Sequence, residues 1–217
     1  VRDSYHDRLD LLMADLLEMT DRVRTAVQDA TRALTEADVQ LAESVISGDQ
    51  AIDALASEVE QTGFSVLAIS SPVAGDLRMV TSGLRVVMAL ERMGDLAAHI
   101  AKIARLRYPD PAVPPRMMDS FLRMAEVAEA MVATAGRTLQ DRDADTAAQL
   151  AANDEQMDKL RRDQFVEILG DDWDEGVAAA VDVALLGRYY ERIADHAVSV
   201  GKRVVFLVTG IQPSEQN

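Results

Sequence analysis

Four pairs of carboxylates recur at the spacing of one helical turn: Glu91 with Asp95, Glu191 with Asp195, Asp49 with Asp53, and Asp154 with Asp158. Residues four apart share a helix face, so each pair projects together and repels by about 0.2–0.5 kcal/mol unless something compensates. A hard cation would do so, and carboxylate oxygens suit iron, zinc, manganese, magnesium or calcium. Pairs from adjacent antiparallel helices would then meet at a bridged, multinuclear site. His99 shares the face of Glu91 and Asp95 and is a further candidate ligand. The plainer reading is a solvated acidic face, neutralised by Arg92, Arg192, Lys102 and Lys202. With 37 acidic residues in 217, such spacings arise by chance, and their recurrence is what favours the metal reading.

Other chemistries find little support. None of the three histidines follows a glutamate by three, which disfavours a ferritin-like di-iron oxidase. There is no cysteine, and so no thiolate catalysis, disulfide framework or thiolate metal site. Gly75-Asp76-Leu77-Arg78 lacks the spacing of a phosphate-binding loop, and no Gly-x-Ser-x-Gly elbow is present. A metal-bound water is the one route left to an enzyme, and no sequence feature shapes a substrate pocket beside it.

The elements that must hold these carboxylates read as six helices. The first spans about residues 8–34, with an apolar stripe of Leu9, Leu12, Leu16, Met19, Val23, Ala26, Ala30 and Ala33 at three- and four-residue steps. The second spans about 38–69, with interior Gly48 and Gly63 arguing against uniformity. Ser71-Pro72 reads as an N-cap followed by proline at the first helical position of a third helix ending near Arg107. The segment 108–115 holds four prolines and forms a central link, so the expected units are 1–108, a linker at 109–115, 116–210, and a tail at 211–217 without periodicity. Helices over about 116–139, 143–169 and 173–208 complete the set, Trp173 serving as an anchor at the start of the last.

An internal repeat ties the halves together. A shift of 105 aligns Met19 with Met124, Asp38 with Asp143, Asp49 with Asp154 and Asp53 with Asp158. Beyond the second helix the shift becomes 100 and superposes Glu91-Arg92-Met93-Gly94-Asp95 on Glu191-Arg192-Ile193-Ala194-Asp195. The expected fold is all-α: two tandem antiparallel three-helix bundles related by a pseudo-twofold.

Composition narrows the partners. A formal charge of −15 repels nucleic acid and anionic membrane surfaces, and no run approaches the roughly 18 apolar residues of a membrane span. No leader pattern opens the chain, so the expected compartment is the cytoplasm. The methionines, Met79, Met88, Met93, Met117, Met118, Met124 and Met131 among them, read as core filling in a chain with 4% aromatics rather than as a partner groove.

Ser71-Pro72-Val73-Ala74-Gly75-Asp76-Leu77-Arg78, followed by both Glu-Arg-x-x-Asp blocks and the duplicated layout, resembles the PhoU family over about residues 3–208. The resemblance implies a non-enzymatic negative regulator of phosphate uptake and of the phosphate-starvation response. Such a protein would act as an adaptor between the ATPase of the phosphate ABC transporter and a sensor histidine kinase. It also implies iron or zinc clusters at Glu91 and Asp95 and at Glu191 and Asp195, with Asp49, Asp53, Asp154 and Asp158 as counterparts, and a homodimer. A carboxylate-bridged metalloenzyme and a scaffold with non-functional carboxylates are the alternatives.

The chain departs from the family pattern in places. His99 and Ser199 stand where many members carry asparagine, Ala194 stands opposite Gly94, and Arg78 has Ala178 as its counterpart. The two sites are thus expected to differ in affinity or occupancy. Phosphate itself would be a direct ligand only through a local arginine cluster or a bridging metal.

Overall fold

The computed structural model describes residues 2–70 and 72–215. Six long helices run in chain order: α1 (Arg2–Glu36), α2 (Val39–Ser70), α3 (Ala74–Arg107), α4 (Met118–Asp141), α5 (Ala144–Ile168) and α6 (Gly176–Thr209). The repeat seen in the sequence is repeated in the turns. Ala37 and Arg142, 105 positions apart, both take the left-handed conformation that ends a helix, with φ of 51° and 54°. The next residue in each case is an aspartate. Asp38 N donates to Ala33 O and Asp143 N donates to Thr138 O, both at 3.1 Å. The two carboxylates then cap the following helices, accepting from Leu41 N and Thr146 N at 3.0 Å.

These caps set α1 against α2 and α4 against α5 as antiparallel pairs, and α3 and α6 close each bundle. The α1 stripe is buried as its spacing predicts, Ala26 alone being partly exposed. α2 runs unbroken through Gly48 and Gly63. Gly63 has a packing reason, since a Cβ there would lie 2.8 Å from Leu84 Cδ2. The two bundles share one continuous core: Leu16, Met19 and Leu90 of the first belong to the same cluster as Phe121, Met124 and Tyr190 of the second. Each such side chain contributes about 1.5–3 kcal/mol by leaving water.

α3 and α6 pack against each other at the centre. Cross-repeat contacts fix their register. Tyr190 is fully buried with its hydroxyl 2.8 Å from Thr31 Oγ1, and Arg107 Nε donates to buried Asp182 Oδ2 at 2.5 Å. Arg78 Nε donates to Leu207 O at 3.4 Å, a one-sided tie in keeping with its lack of a counterpart at Ala178.

Several expected boundaries move. α3 begins at Ala74 with Val73 in the cap position and no side-chain cap, so Pro72 is not its first residue; Ser71 lies outside the described residues. A short 3-10 turn at Pro115–Met117 precedes α4. Trp173 precedes α6 rather than starting it. Its indole donates to Gly176 O at 3.0 Å and packs on the Arg116 guanidinium, which anchors the α5–α6 corner. The tail forms a 3-10 turn at Pro213–Glu215. The proline-rich link is packed rather than loose, with Ala112 and Val113 in the core. Met93, Met117, Met124 and Met131 are buried, in agreement with core filling, while Met88 is half exposed. Among the described residues no helix is long and apolar enough to cross a membrane.

Candidate metal centre

α2 and α3 bring Asp49, Asp53 and Asp95 together. One carboxylate oxygen from each lies within 4.8 Å of the others. The approach depends on Gly94, since a Cβ there would stand 3.1 Å from both Asp49 Oδ1 and Ile52 Cδ1. Asp49 Oδ1 is buried without a hydrogen-bond partner. Burial, and then the charges of Asp53 and Asp95, push the Asp49 carboxyl above the usual carboxylate range, with Lys102 and His99 pulling it back. Glu91 borders the triad: burial raises its carboxyl, Arg92 offsets this, and Asp53 and Asp95 add to it.

Two flanking groups limit the site. Arg92 Nη1 donates to Asp95 Oδ2 at 2.7 Å. His99 shares the helix face as expected, yet its Nδ1 lies 2.7 Å from Asp95 O and its ring packs 5.5 Å from that of Tyr189. It stands beside the triad, with Nδ1 engaged by the backbone.

An orphaned buried carboxylate oxygen, two neighbouring carboxylates of the same sign and an all-oxygen donor set are what a hard divalent ion requires. The first repeat fits such an ion. Asp49, Asp53 and Asp95 would hold it, Glu91 standing within range of their charges, and the bound charge would remove the repulsion among them.

In the second repeat the corresponding residues meet differently. Burial, then Asp195, Asp158 and Glu191, raise Asp154 to about 6, and Asp154 Oδ1 is buried without a partner. Asp195 is also raised, chiefly by burial, with Arg192 opposing. Among the described residues, however, the first-repeat triad is the one group of three acidic or histidine side chains drawn so close. Ala194, fully buried, carries the methyl that its counterpart Gly94 lacks. Glu191 is held by Arg161 Nε at 3.3 Å and by Arg188 Nη1 at 2.7 Å, with only 11% of the Arg161 side chain exposed.

Arg161 comes with a set of replacements at repeat positions, while Arg188 stands where the first repeat has Met88. Ala56, Val59 and Val87 are buried in the core of the first repeat, and their counterparts are Arg161, Gln164 and Gly187. At Gly187 a Cβ would meet the Gln164 amide and, at 3.1 Å, an Arg161 nitrogen. Gln164 is buried with both amide atoms unpartnered. Neither Arg161 nor Arg188 is marked out by a motif in the sequence. Arg161 lies 30 positions from Glu191, and the only signal was a charge at a repeat position that is alanine in the other half.

The comparisons with known proteins agree with this architecture. The PhoU domain matches residues 16–104 and again 121–204. The chain is 44% identical over 215 residues to the phosphate-specific transport system accessory protein PhoU homolog 1 of Mycobacterium tuberculosis (strain ATCC 25618 / H37Rv), covering 99% of this chain and 97% of that one. It is equally identical to homolog 2 of the same organism over 213 residues, covering 98% and 100%. The crystal structure of PhoU from Pseudomonas aeruginosa superposes with a TM-score of 0.88 at 28% identity, covering 95% of this chain and 100% of that one. Two matching domains, relatives matched end to end and a shared six-helix frame lead to one conclusion: this chain belongs to the PhoU family.

Proposed function

We propose that this protein is a cytoplasmic negative regulator of phosphate uptake and of the phosphate-starvation response. It acts without catalysis, as an adaptor between the ATPase of a phosphate ABC transporter and a sensor histidine kinase. The observation that carries this reading is the full-length likeness to phosphate transport accessory and regulatory proteins, which includes both repeats. The fold supplies what an adaptor needs: long helices on a shared core and two differently dressed faces of one frame.

Metal enters this reading through the first repeat. Iron or zinc bound by Asp49, Asp53 and Asp95, with Glu91 beside them, holds α2 against α3 and stabilises the surface they present by mass action. The second repeat carries Asp154, Asp158, Glu191 and Asp195 in a weaker site, because Arg161 and Arg188 already neutralise Glu191.

The test is capture of the ATPase subunit and of the kinase cytoplasmic region by the full chain, with metal content measured on the same sample. Glu91→Ala/Asp95→Ala is the comparison. Binding to either partner, reduced together with metal in the variant, supports the adaptor and its metal. A folded, metal-loaded chain that captures neither partner refutes the adaptor.

A further inference from the structure

Duplication should make the two faces of the α3–α6 crossing alike, and they differ. On one face the His99 ring packs against Tyr189, and the neighbouring positions are Leu96, Ile103 and Leu185. On the other face, the residues related to Leu185, Tyr189, Leu96 and Ile103 are Arg85, Ala89, His196 and Arg203. Alanine in place of tyrosine leaves space, and a groove of about 260 Å³ opens there.

Its lining is cationic. Arg85, Arg92 and Arg203 converge on it, with His196 between the helices and Glu91 the one acidic member. Arg92 has Asp95 as a partner. Among the described residues neither Arg85 nor Arg203 has an ion-pair partner, in a chain with 37 acidic residues and a net charge of −15. Burial, and then the charge of Arg85, depress the Arg203 guanidinium. Burial, then Arg192 and Arg92, depress His196, so the imidazole tends to neutrality there.

Arg85 and Arg203, two guanidiniums on one groove that no carboxylate pairs, are short of an anion. Each offers a planar fork that matches oxyanion geometry. A single side-chain carboxylate satisfies one such fork, whereas a phosphoryl group carries about −1.5 to −2 charges and three acceptor oxygens, enough for several. The net negative chain repels every anion and a highly charged one most, so binding here rests on the local guanidiniums gripping the anion at more than one point.

We propose that the groove between α3 and α6 bounded by Arg85, Arg92, Arg203 and Ala89 binds a phosphoryl oxyanion, either free inorganic phosphate or the terminal phosphate of a larger molecule. The groove adjoins the carboxylate triad through Glu91 and through Arg92, which donates to Asp95, while Arg85 and Arg203 take no part in the triad. It gives the chain a direct phosphate-binding surface.

The test is calorimetric titration of the full chain, in chelator and at fixed ionic strength in chloride, with inorganic phosphate and separately with pyrophosphate. Two variants install the other repeat's residues: Arg85→Leu/Arg203→Ile, and Ala89→Tyr. Thermal melts confirm that each is folded. Saturable binding of either probe, weakened at least about tenfold in both variants, is the expected result. Inorganic phosphate as the tighter probe identifies the free ion, and pyrophosphate identifies the terminus of a larger molecule. No saturable binding of either probe, or equal binding by the folded variants, overturns the proposal. So does arginine-dependent binding of a phosphate-free glutamate peptide in place of both probes, which would make the groove a protein-docking surface. Chelator keeps the first-repeat metal out of the measurement, so failure here leaves the adaptor reading standing.

Discussion

Gly94→Ala tests the metal centre at its most exacting contact. The added methyl would stand 3.1 Å from Asp49 Oδ1, 3.1 Å from Ile52 Cδ1 and 3.2 Å from Ile52 Cγ2. Comfortable contacts to carbon begin near 3.5 Å, so the Asp49 carboxylate or Ile52 must retreat by about 0.4 Å. Metal–ligand distances tolerate about 0.2 Å, and a shift of this size loosens one ligand of three. Disturbing the support of a ligand costs about 10–100-fold in metal affinity, and that is the loss expected for zinc or ferrous iron. Stability should change by about 0–2 kcal/mol, since alanine gains about 1 kcal/mol over glycine inside a helix against about 1–3 kcal/mol for overpacking. Competition with a chelating dye gives the affinity, and a denaturant melt in chelator gives the stability. A folded Gly94→Ala protein with wild-type metal affinity would refute the assignment of Gly94 as the residue that lets the triad close.

Three further outcomes follow from neighbouring contacts. Glu191→Gln strands the Arg161 guanidinium between the Phe165 ring, 4.1 Å away, and Gln164. It should lower the melting temperature in chelator, whereas Glu91→Gln relieves repulsion from Asp53 and Asp95 and should hold or raise it. Asp154 ionises near 6 in the folded chain against an ordinary 3.8, so the folded state binds the extra proton between those values. Its contribution therefore stabilises at low pH and is lost as pH rises through about 6; Asp154→Asn should flatten that part of a pH series of urea midpoints measured in chelator. Gly201→Ala places a methyl 2.7 Å from Ala147 O and 2.9 Å from Leu150 Cδ1. Backbone cannot yield as a side chain can, and the denaturant midpoint should report about 1–3 kcal/mol of destabilisation.

The sequence disclosed helices, order and duplication because each rests on local chemistry. The α1 stripe is periodic, and Asp38 and Asp143 cap the helices that follow them. Errors gathered where local signals compete. Pro72 suggested a helix start that the backbone delays to Ala74, and Trp173 suggested one that Gly176 provides. Of the candidate site, the helix-face pairs were legible from spacing. Which pairs would close was not, because that depends on a missing methyl at Gly94 seen from another helix. Glu191 and Arg161 meet across two helices, and the Arg85–Arg203 groove joins residues of different repeats, so neither leaves a mark in a window of a few turns.

The packed link has a consequence for mechanics. Ala112 and Val113 are sealed into the same core as Leu90 and Tyr190, so the chain has no slack joint at the place where its two copies meet. The halves cannot swing apart to reach partners of varying separation. The span between the Asp49 face and the Asp154 face is a fixed gauge, and any molecule that touches both must conform to it. Duplication here has produced a ruler rather than two beads on a string.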